Sequence, residues 1–234
     1  MRSQTLITDI SPPHDWSVFD LDRTLTCRPT YTAFLLFAAG RLAPWRMLLL
    51  PAVLGSMLAY AAGLLSRKRL KEIEQRLLLG RHVQADSIRQ VARDFAARVA
   101  KSGFHADARA RIRRERFEGR RVIVATAANS VYAHALVDTL GVHDVIATRS
   151  MWDKDMLIAA IDGENCYGPA KREMLASHLQ TCSIERQAVH IRFFSDHISD
   201  QPTFEWVDEA IAVNPSRRLR QLARSRGWPI QRWR

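Results

Sequence analysis

The sequence predicts an α/β fold: a doubly wound parallel sheet carrying an inserted all-helical cap. Three observations lead there. Apolar, β-rich runs alternate with helix-length segments from Gly119 onward, strand signals vanish between Thr30 and Phe117, and two acidic runs each follow a strand-like stretch. Those runs are Phe19-Asp20-Leu21-Asp22-Arg23-Thr24-Leu25-Thr26 and Ser195-Asp196-His197-Ile198-Ser199-Asp200.

Residues 16–19 are a short apolar run that ends in the first acidic motif, so they read as the first core strand. The segment 30–117 then reads as helices over 31–39, 45–65, 69–79, 85–99 and 106–116, an insertion between two strands. Beyond it come a strand at 121–126, a helix at 130–140 closed by Gly141, a strand at 144–148, a hairpin around 156–163 and a helix at 169–179. Strands follow at 189–194 and 210–213. Asn214 and Pro215 supply an N-cap and a proline at the first helical position for a last helix over 216–225. The expected division is a leader over 1–14, a core of 15–29 with 118–234, and the cap of 30–117.

A hydrophobic content of 47% in 234 residues suffices for a buried interior and excludes disorder as the main state. Three scattered cysteines, with no Cys-x-x-Cys pair, indicate neither a disulfide framework nor a zinc knuckle and fit a reducing cytoplasm. The first ten residues lack the apolar region of a secretory signal. A formal net charge of +11, gathered in the arginines of 109–121, 67–71 and 217–234, draws the chain toward polyanions. No helix-turn-helix or RNP-like pattern accompanies it, so specific nucleic-acid recognition is not expected, and solvated helix faces account for much of the arginine. The sequence assigns no oligomeric state.

Residues two apart in a strand point the same way, so Asp20 and Asp22 both face a pocket at a strand's carboxyl end. Alone, an Asp-x-Asp pair also serves as a helix cap, an exposed turn or a glycosyltransferase metal motif. In phosphate chemistry one carboxylate attacks phosphorus while a second, with a raised pKa, handles protons. A hard cation must then relieve the repulsion between nucleophile and phosphate, and Mg2+ is the natural choice. Asp196, ending its strand, is the best further ligand, and Asp200 is placed to orient the cation's waters. Thr126, closing its strand before a helix, offers a hydroxyl with backbone N–H groups beside it at Ala127, and Lys171, at a helix start, offers an ammonium for the phosphate. Ser195 and Asn129 read as supporting groups, whereas His190 and His197 read as structural or surface residues.

The order Asp-x-Asp-x-Thr, strand-end Thr, Lys, Ser-Asp-x-x-x-Asp resembles the haloacid dehalogenase superfamily over residues 16–233, in its phosphoserine-phosphatase-like branch (subfamily IB) with a helical cap after the first motif. The resemblance implies Asp20 as nucleophile and Asp22 as general acid/base. It also implies Mg2+ on the Asp20 side chain, the Asp22 main-chain carbonyl and Asp196, phosphate on Thr126, Ala127 and Lys171, supporting roles for Thr24, Ser195 and Asp200, and substrate contacts from Arg23 and Asn129. Two departures stand out. Arg23 replaces a small residue, often glycine, and the glutamate that holds a substrate ammonium in phosphoserine phosphatases is missing. No acidic residue lies between Asp22 and Glu72, while eight basic ones do.

The apolar stretch 47–65 approaches the length of a spanning helix but is interrupted by Pro51, Gly55 and Gly63. Asp20 and Asp196 must share one site, so any crossing must be paired with a return. That hairpin would drive Arg41 and Arg46 into hydrocarbon at about 2.5–3.5 kcal/mol each. Two readings remain: a cap packed on the core, or one whose apolar face also dips into the membrane interface. An apolar, basic cap suits an anionic amphiphile, so the favoured substrate is a phospholipid phosphomonoester such as phosphatidylglycerophosphate, the pattern being similar to phosphatidylglycerophosphatases of the C type. The protein would then be cytoplasmic and peripheral at the inner face of an anionic membrane. The competing expectations are a phosphatase of a soluble, phosphoserine-like metabolite and a catalytically silent, basic membrane-associated protein.

Overall fold

The computed structural model describes residues 15–234; the leader expected over 1–14 lies outside them. Its strands are β1 (Asp15–Phe19), β2 (His82–Gln84), β3 (Arg121–Asn129), β4 (Asp144–Asp153), β5 (Met156–Asp162), β6 (His190–Ser195), β7 (Glu209–Val213) and β8 (Ile230–Gln231). They form one sheet in the order β2-β5-β4-β3-β1-β6-β7-β8. The helices are α1 (Tyr31–Leu42), α2 (Leu50–Ala61), α3 (Arg67–Leu78), α4 (Ala85–Ser102), α5 (Ala106–Phe117), α6 (Ser130–Asp138), α7 (Pro169–Thr181), α8 (Gln201–Phe204) and α9 (Arg217–Arg226).

β1 lies at the centre because its side chains are apolar on both faces. Phe19, with Val124 and Phe194 from the flanking strands, joins the core under α1, α4 and α6. Val18, with Ile123 and Phe193, joins a second core under α7 and α9. Burial on both faces is what a parallel, doubly wound sheet requires. Pairing with β3 on one side and β6 on the other makes the end of β1 the point where strand order reverses, the usual ligand crevice of such sheets.

The expected doubly wound sheet is present with one addition, and three other expectations need correction. The sheet is parallel from β4 to β8 but gains an antiparallel edge, since β4 runs on to Asp153, reverses at Lys154 with φ 50°, and pairs with β5. The insertion is not wholly helical: β2 pairs with β5 and ties the insertion to the sheet, three residues being too short to leave a period in the sequence. The helix expected over 45–65 divides into a 3-10 turn at Pro44–Leu49 and α2. Pro51 suits the first turn of α2 but not the interior of a longer helix, and Gly63, at φ 77°, follows its end. The cap of α9 is Ser216, whose Oγ accepts from the Leu219 N–H, while Asn214, at φ 43°, is engaged with the Trp233 backbone.

The arginines of 109–121 are also less solvated than expected. Glu115, on α5, is fully buried and accepts from Ser17 Oγ, Arg111 Nε and Arg192 Nη1, with Arg120 Nε at 3.2 Å. These cations serve the fold beneath β1 and β6. Among the described residues no helix is long and apolar enough to cross a bilayer.

Candidate active site

Asp20 follows β1, Thr126 lies in β3 and Asp196 follows β6, so three neighbouring parallel strands deliver them to one edge. Behind Asp20, the rings of Phe19 and Phe194 stack at 4.4 Å and give the edge an apolar floor. After Asp20 the chain makes one wide turn over Leu21–Leu25, closed by the Thr26 N–H on the Leu21 carbonyl at 2.9 Å. Arg23 sits within that turn at φ 63°, in the left-handed region that favours glycine.

A cavity of about 270 Å3 is lined by Asp20, Asp22, Arg23, Thr126, Ala127, Lys171, Asp196 and Asp200. Lys171, in the first turn of α7, donates to Asp20 Oδ1 at 2.8 Å and to Asp200 Oδ2 at 2.7 Å. Thr24 Oγ1 donates to the other Asp20 oxygen at 3.3 Å, and Ser195 Oγ donates to Asp200 Oδ2 at 2.6 Å; both hydroxyls are buried outside the cavity. Asp22 Oδ1 accepts from both the N–H and the hydroxyl of Thr30, at 2.8 and 2.7 Å. Thr126 Oγ1 accepts from the Ala128 N–H at 3.0 Å, which leaves its own O–H available as a donor. Asn129 is not brought to the cavity: its Oδ1 caps α6 at the Val131 N–H and its amide donates to Ser150, so the expected substrate contact gives way to a helix cap.

Negative charge exceeds positive here. Burial lifts the Asp20 carboxyl to about 6, Lys171 opposing and Asp200 adding to the rise. Burial, followed by the charges of Asp20 and Asp200, pushes Asp196 up to about 8. Burial raises Asp22 as well, against the Thr30 hydrogen bonds. Asp200 Oδ1 is buried with no hydrogen-bond partner among the described residues. Surplus carboxylate charge and an orphaned oxygen fit a hard, oxygen-liganded cation. Among the described residues no three His, Cys, Asp or Glu side chains form a metal-holding group. The set expected for Mg2+ draws on only two carboxylates, with a main-chain carbonyl and waters or substrate completing it.

Five further residues line the cavity without having been assigned a role there: Pro29, Arg67, Tyr167, His197 and Ser199. The Arg67 guanidinium, at the start of α3, lies 4.0 Å from the centre of the Tyr167 ring. His197, expected to be a structural or surface residue, lines the cavity with Nδ1 2.9 Å from Ser199 Oγ; its place inside the Ser-Asp-His run is the available signal. Lys71 is buried nearby and donates to the Ala127 carbonyl at 2.5 Å and to Asn165 Oδ1 at 2.7 Å. It joins the insertion to the backbone beside Thr126, a contact between segments that no local pattern encodes. A larger cavity of about 830 Å3, between the Thr26–Thr30 segment and α1 and α4, shares Pro29 with the first but none of its carboxylates.

Residues 17–205 match the family described as haloacid dehalogenase-like hydrolase. A probable phosphatase of Mycobacterium tuberculosis is 29% identical over 91% of this chain and 73% of its own length. Among solved structures, a protein of unknown function from Bordetella pertussis Tohama I superposes with a TM-score of 0.83 at 24% identity, covering 93% of this chain and 98% of that one. A phosphoserine phosphatase captured as an analogue of its phospho-aspartyl intermediate gives 0.62 at 17% identity, covering 93% and 92%. These two superpositions speak to the fold.

Proposed function

As this chain belongs to the haloacid dehalogenase-like hydrolases, we propose that it is a phosphomonoester hydrolase working through an aspartyl phosphate on Asp20. The observation that carries the reading is the Asp20 carboxylate at the sheet's reversal point, fixed by Lys171 at 2.8 Å, with Asp22 and Thr126 lining the same cavity. An Asp20 oxygen bonds to phosphorus as the ester P–O bond breaks, and Asp22 gives its proton to the departing alkoxide. Asp22 then takes a proton from water whose oxygen attacks phosphorus. The Asp20–phosphorus link breaks, inorganic phosphate leaves and both carboxyls return to their starting states. Burial that raises Asp22 suits this duty, and Thr30 holds it in place. Thr126, the Ala127 backbone and Lys171 would bind the transferring oxygens. The Asp20 and Asp196 carboxylates and the Asp22 carbonyl would hold Mg2+, which would supply the positive charge that lets an anionic carboxylate approach a phosphate dianion.

For the substrate we favour an anionic phospholipid phosphomonoester, phosphatidylglycerophosphate being the example, met at the inner face of a membrane. Arg23 and Arg67 line the cavity, and with no acidic residue between Asp22 and Glu72 that stretch offers no carboxylate to an amino acid's ammonium. Phosphate release from phosphatidylglycerophosphate and from phosphoserine, with and without Mg2+, tests both levels. The expected result is Mg2+-dependent release favouring the lipid, reduced at least about a thousandfold in Asp20→Asn. Preference for phosphoserine overturns the lipid reading and supports a soluble metabolite. Inertness toward every ester overturns the hydrolase reading and leaves a silent, basic protein.

A further inference from the structure

We infer that the bare apolar face of α2, together with the turn before it, is a seat for an anionic bilayer surface beside the mouth of the cavity. α2 contains no charged residue, and a helix apolar all round is ordinarily enclosed. This one buries only Val53 and Ser56. Pro51, Leu54, Gly55 and Leu58 fall at helical spacing on its outer face, all exposed. Leu48 is 81% exposed, Leu58 63% and Leu64 77%, and Trp45 stands beside them at 59%. Single exposed leucines need no explanation, but a contiguous run on one face marks an interaction surface.

Charge selects the occupant. The segments flanking the face carry Arg41, Arg46, Lys68 and Arg69 and no carboxylate of their own; Arg41 and Arg69 stay largely exposed while meeting Asp94 at 3.7 Å and Glu72 at 3.5 Å. The Arg46 guanidinium, which also donates to the Arg76 and Leu77 carbonyls, lies 4.6 Å from the centre of the exposed Trp45 ring, an aromatic and cation pair of the kind found at headgroup depth. A second copy of the chain would set these like-charged rims against one another. An anionic lipid surface meets both the leucines and the cations. Spanning is out of reach: the 12 residues of α2 extend about 18 Å, well short of a hydrocarbon core of about 30 Å, so the helix lies in the interfacial plane.

The seat adjoins the chemistry. Leu64 precedes by three residues Arg67, which lines the cavity and stacks on Tyr167. A phosphate ester of a membrane amphiphile would therefore meet the cavity without leaving the surface. That purpose rests on the hydrolase reading above; the docking does not.

Flotation with vesicles of phosphatidylcholine containing about 30% phosphatidylglycerol, against pure phosphatidylcholine, tests the seat. The full chain is expected to float with the anionic vesicles, to be released by high salt and to ignore the neutral ones. L54S/L58S, altering exposed side chains outside the cavity, should weaken binding about tenfold or more while leaving hydrolysis of the soluble ester 4-nitrophenyl phosphate unchanged. Binding undiminished in L54S/L58S overturns the proposal. So does indifference to phosphatidylglycerol, or a dimer in solution that the double substitution dissolves. Vesicle binding lost in L54S/L58S from a protein that hydrolyses no ester upholds the seat and sinks the reading of the cavity.

Discussion

Lys171 Nζ lies 2.8 Å from Asp20 Oδ1, both side chains buried at the carboxyl end of the central strand. Burial opposes the ammonium's charge, but Asp20 and Asp200 outweigh it and hold the lysine above its ordinary value. Lys171→Met leaves two buried carboxylates without their cation. Breaking such a pair from one side costs about 3–5 kcal/mol, so the melting temperature should fall clearly. Phosphate release should fall by about 10²–10³ through the lost electrostatic stabilisation. Lys171→Arg should restore little of either, because a planar fork does not fit a position built for a compact ammonium between two carboxylates. Thermal melts beside steady-state assays check both effects, and full activity in Lys171→Met would remove this lysine from the chemistry.

Arg23 stands at φ 63° in the turn after Asp20. A non-glycine residue there costs about 1–2 kcal/mol, and the turn that bears this cost places Arg23 at the cavity. Arg23→Gly is therefore expected to change folding stability by less than about 1 kcal/mol, relief of the backbone offsetting the freer unfolded chain. Arg23→Val, β-branched, should destabilise by about 2 kcal/mol or more. Urea unfolding of the two variants checks the order, and equal stabilities would mean the turn relaxes to another conformation.

How far the sequence carries can be read from such residues. Asp20, Asp22, Thr126, Lys171 and Asp196 were legible because each sits at the end of an apolar run or the start of a helix, where local pattern and chemistry coincide. The central strands were legible because burial on both faces leaves continuous apolar runs. Lys71, Arg67 and Tyr167 were not, since their neighbours come from segments far apart in the chain. β2 was invisible because its three residues acquire strand character only from β5. Asn129 misled because a polar residue at the junction of a strand and a helix suits a ligand contact and a helix cap equally well.

The Glu115 cluster makes the same distinction testable. Arg111 at i−4 reads from sequence as an exposed helix pair worth a few tenths of a kcal/mol, yet Glu115 is fully buried and also meets Arg192 and Ser17. Glu115→Ala is expected to destabilise by about 3–5 kcal/mol, since the partly buried guanidinium groups of Arg120 and Arg192 lose their shared counter-charge. Glu118→Ala, at an exposed pair with Arg114 and 3.5 Å from Arg192, should cost far less. Equilibrium denaturation of the two should separate them widely, and similar losses would show that water reaches the cluster.

Glu74, on α3, gives the fold a pH dependence whose sign follows from burial. Its side chain is buried, Oε1 has no hydrogen-bond partner among the described residues, and burial lifts the carboxyl to about 7, with Lys71 and Arg67 pulling it down. Unfolded, the group titrates near its ordinary 4.5. Between those values the folded chain holds a proton that the unfolded chain has released. Its contribution to stability is therefore complete below about 4.5 and is lost as pH rises through about 7. Glu74→Gln has no proton to lose, so the drop in melting temperature from pH 5 to pH 8 should be smaller than in the unaltered chain by at least about 3 °C. Comparing the two drops cancels the groups remote from Glu74 that titrate over the same range; Lys71, which burial brings down to about 7 and which Glu74 helps to hold charged, is the neighbour whose titration the substitution also moves. An equal drop in both proteins would place the ionised Glu74 in contact with water.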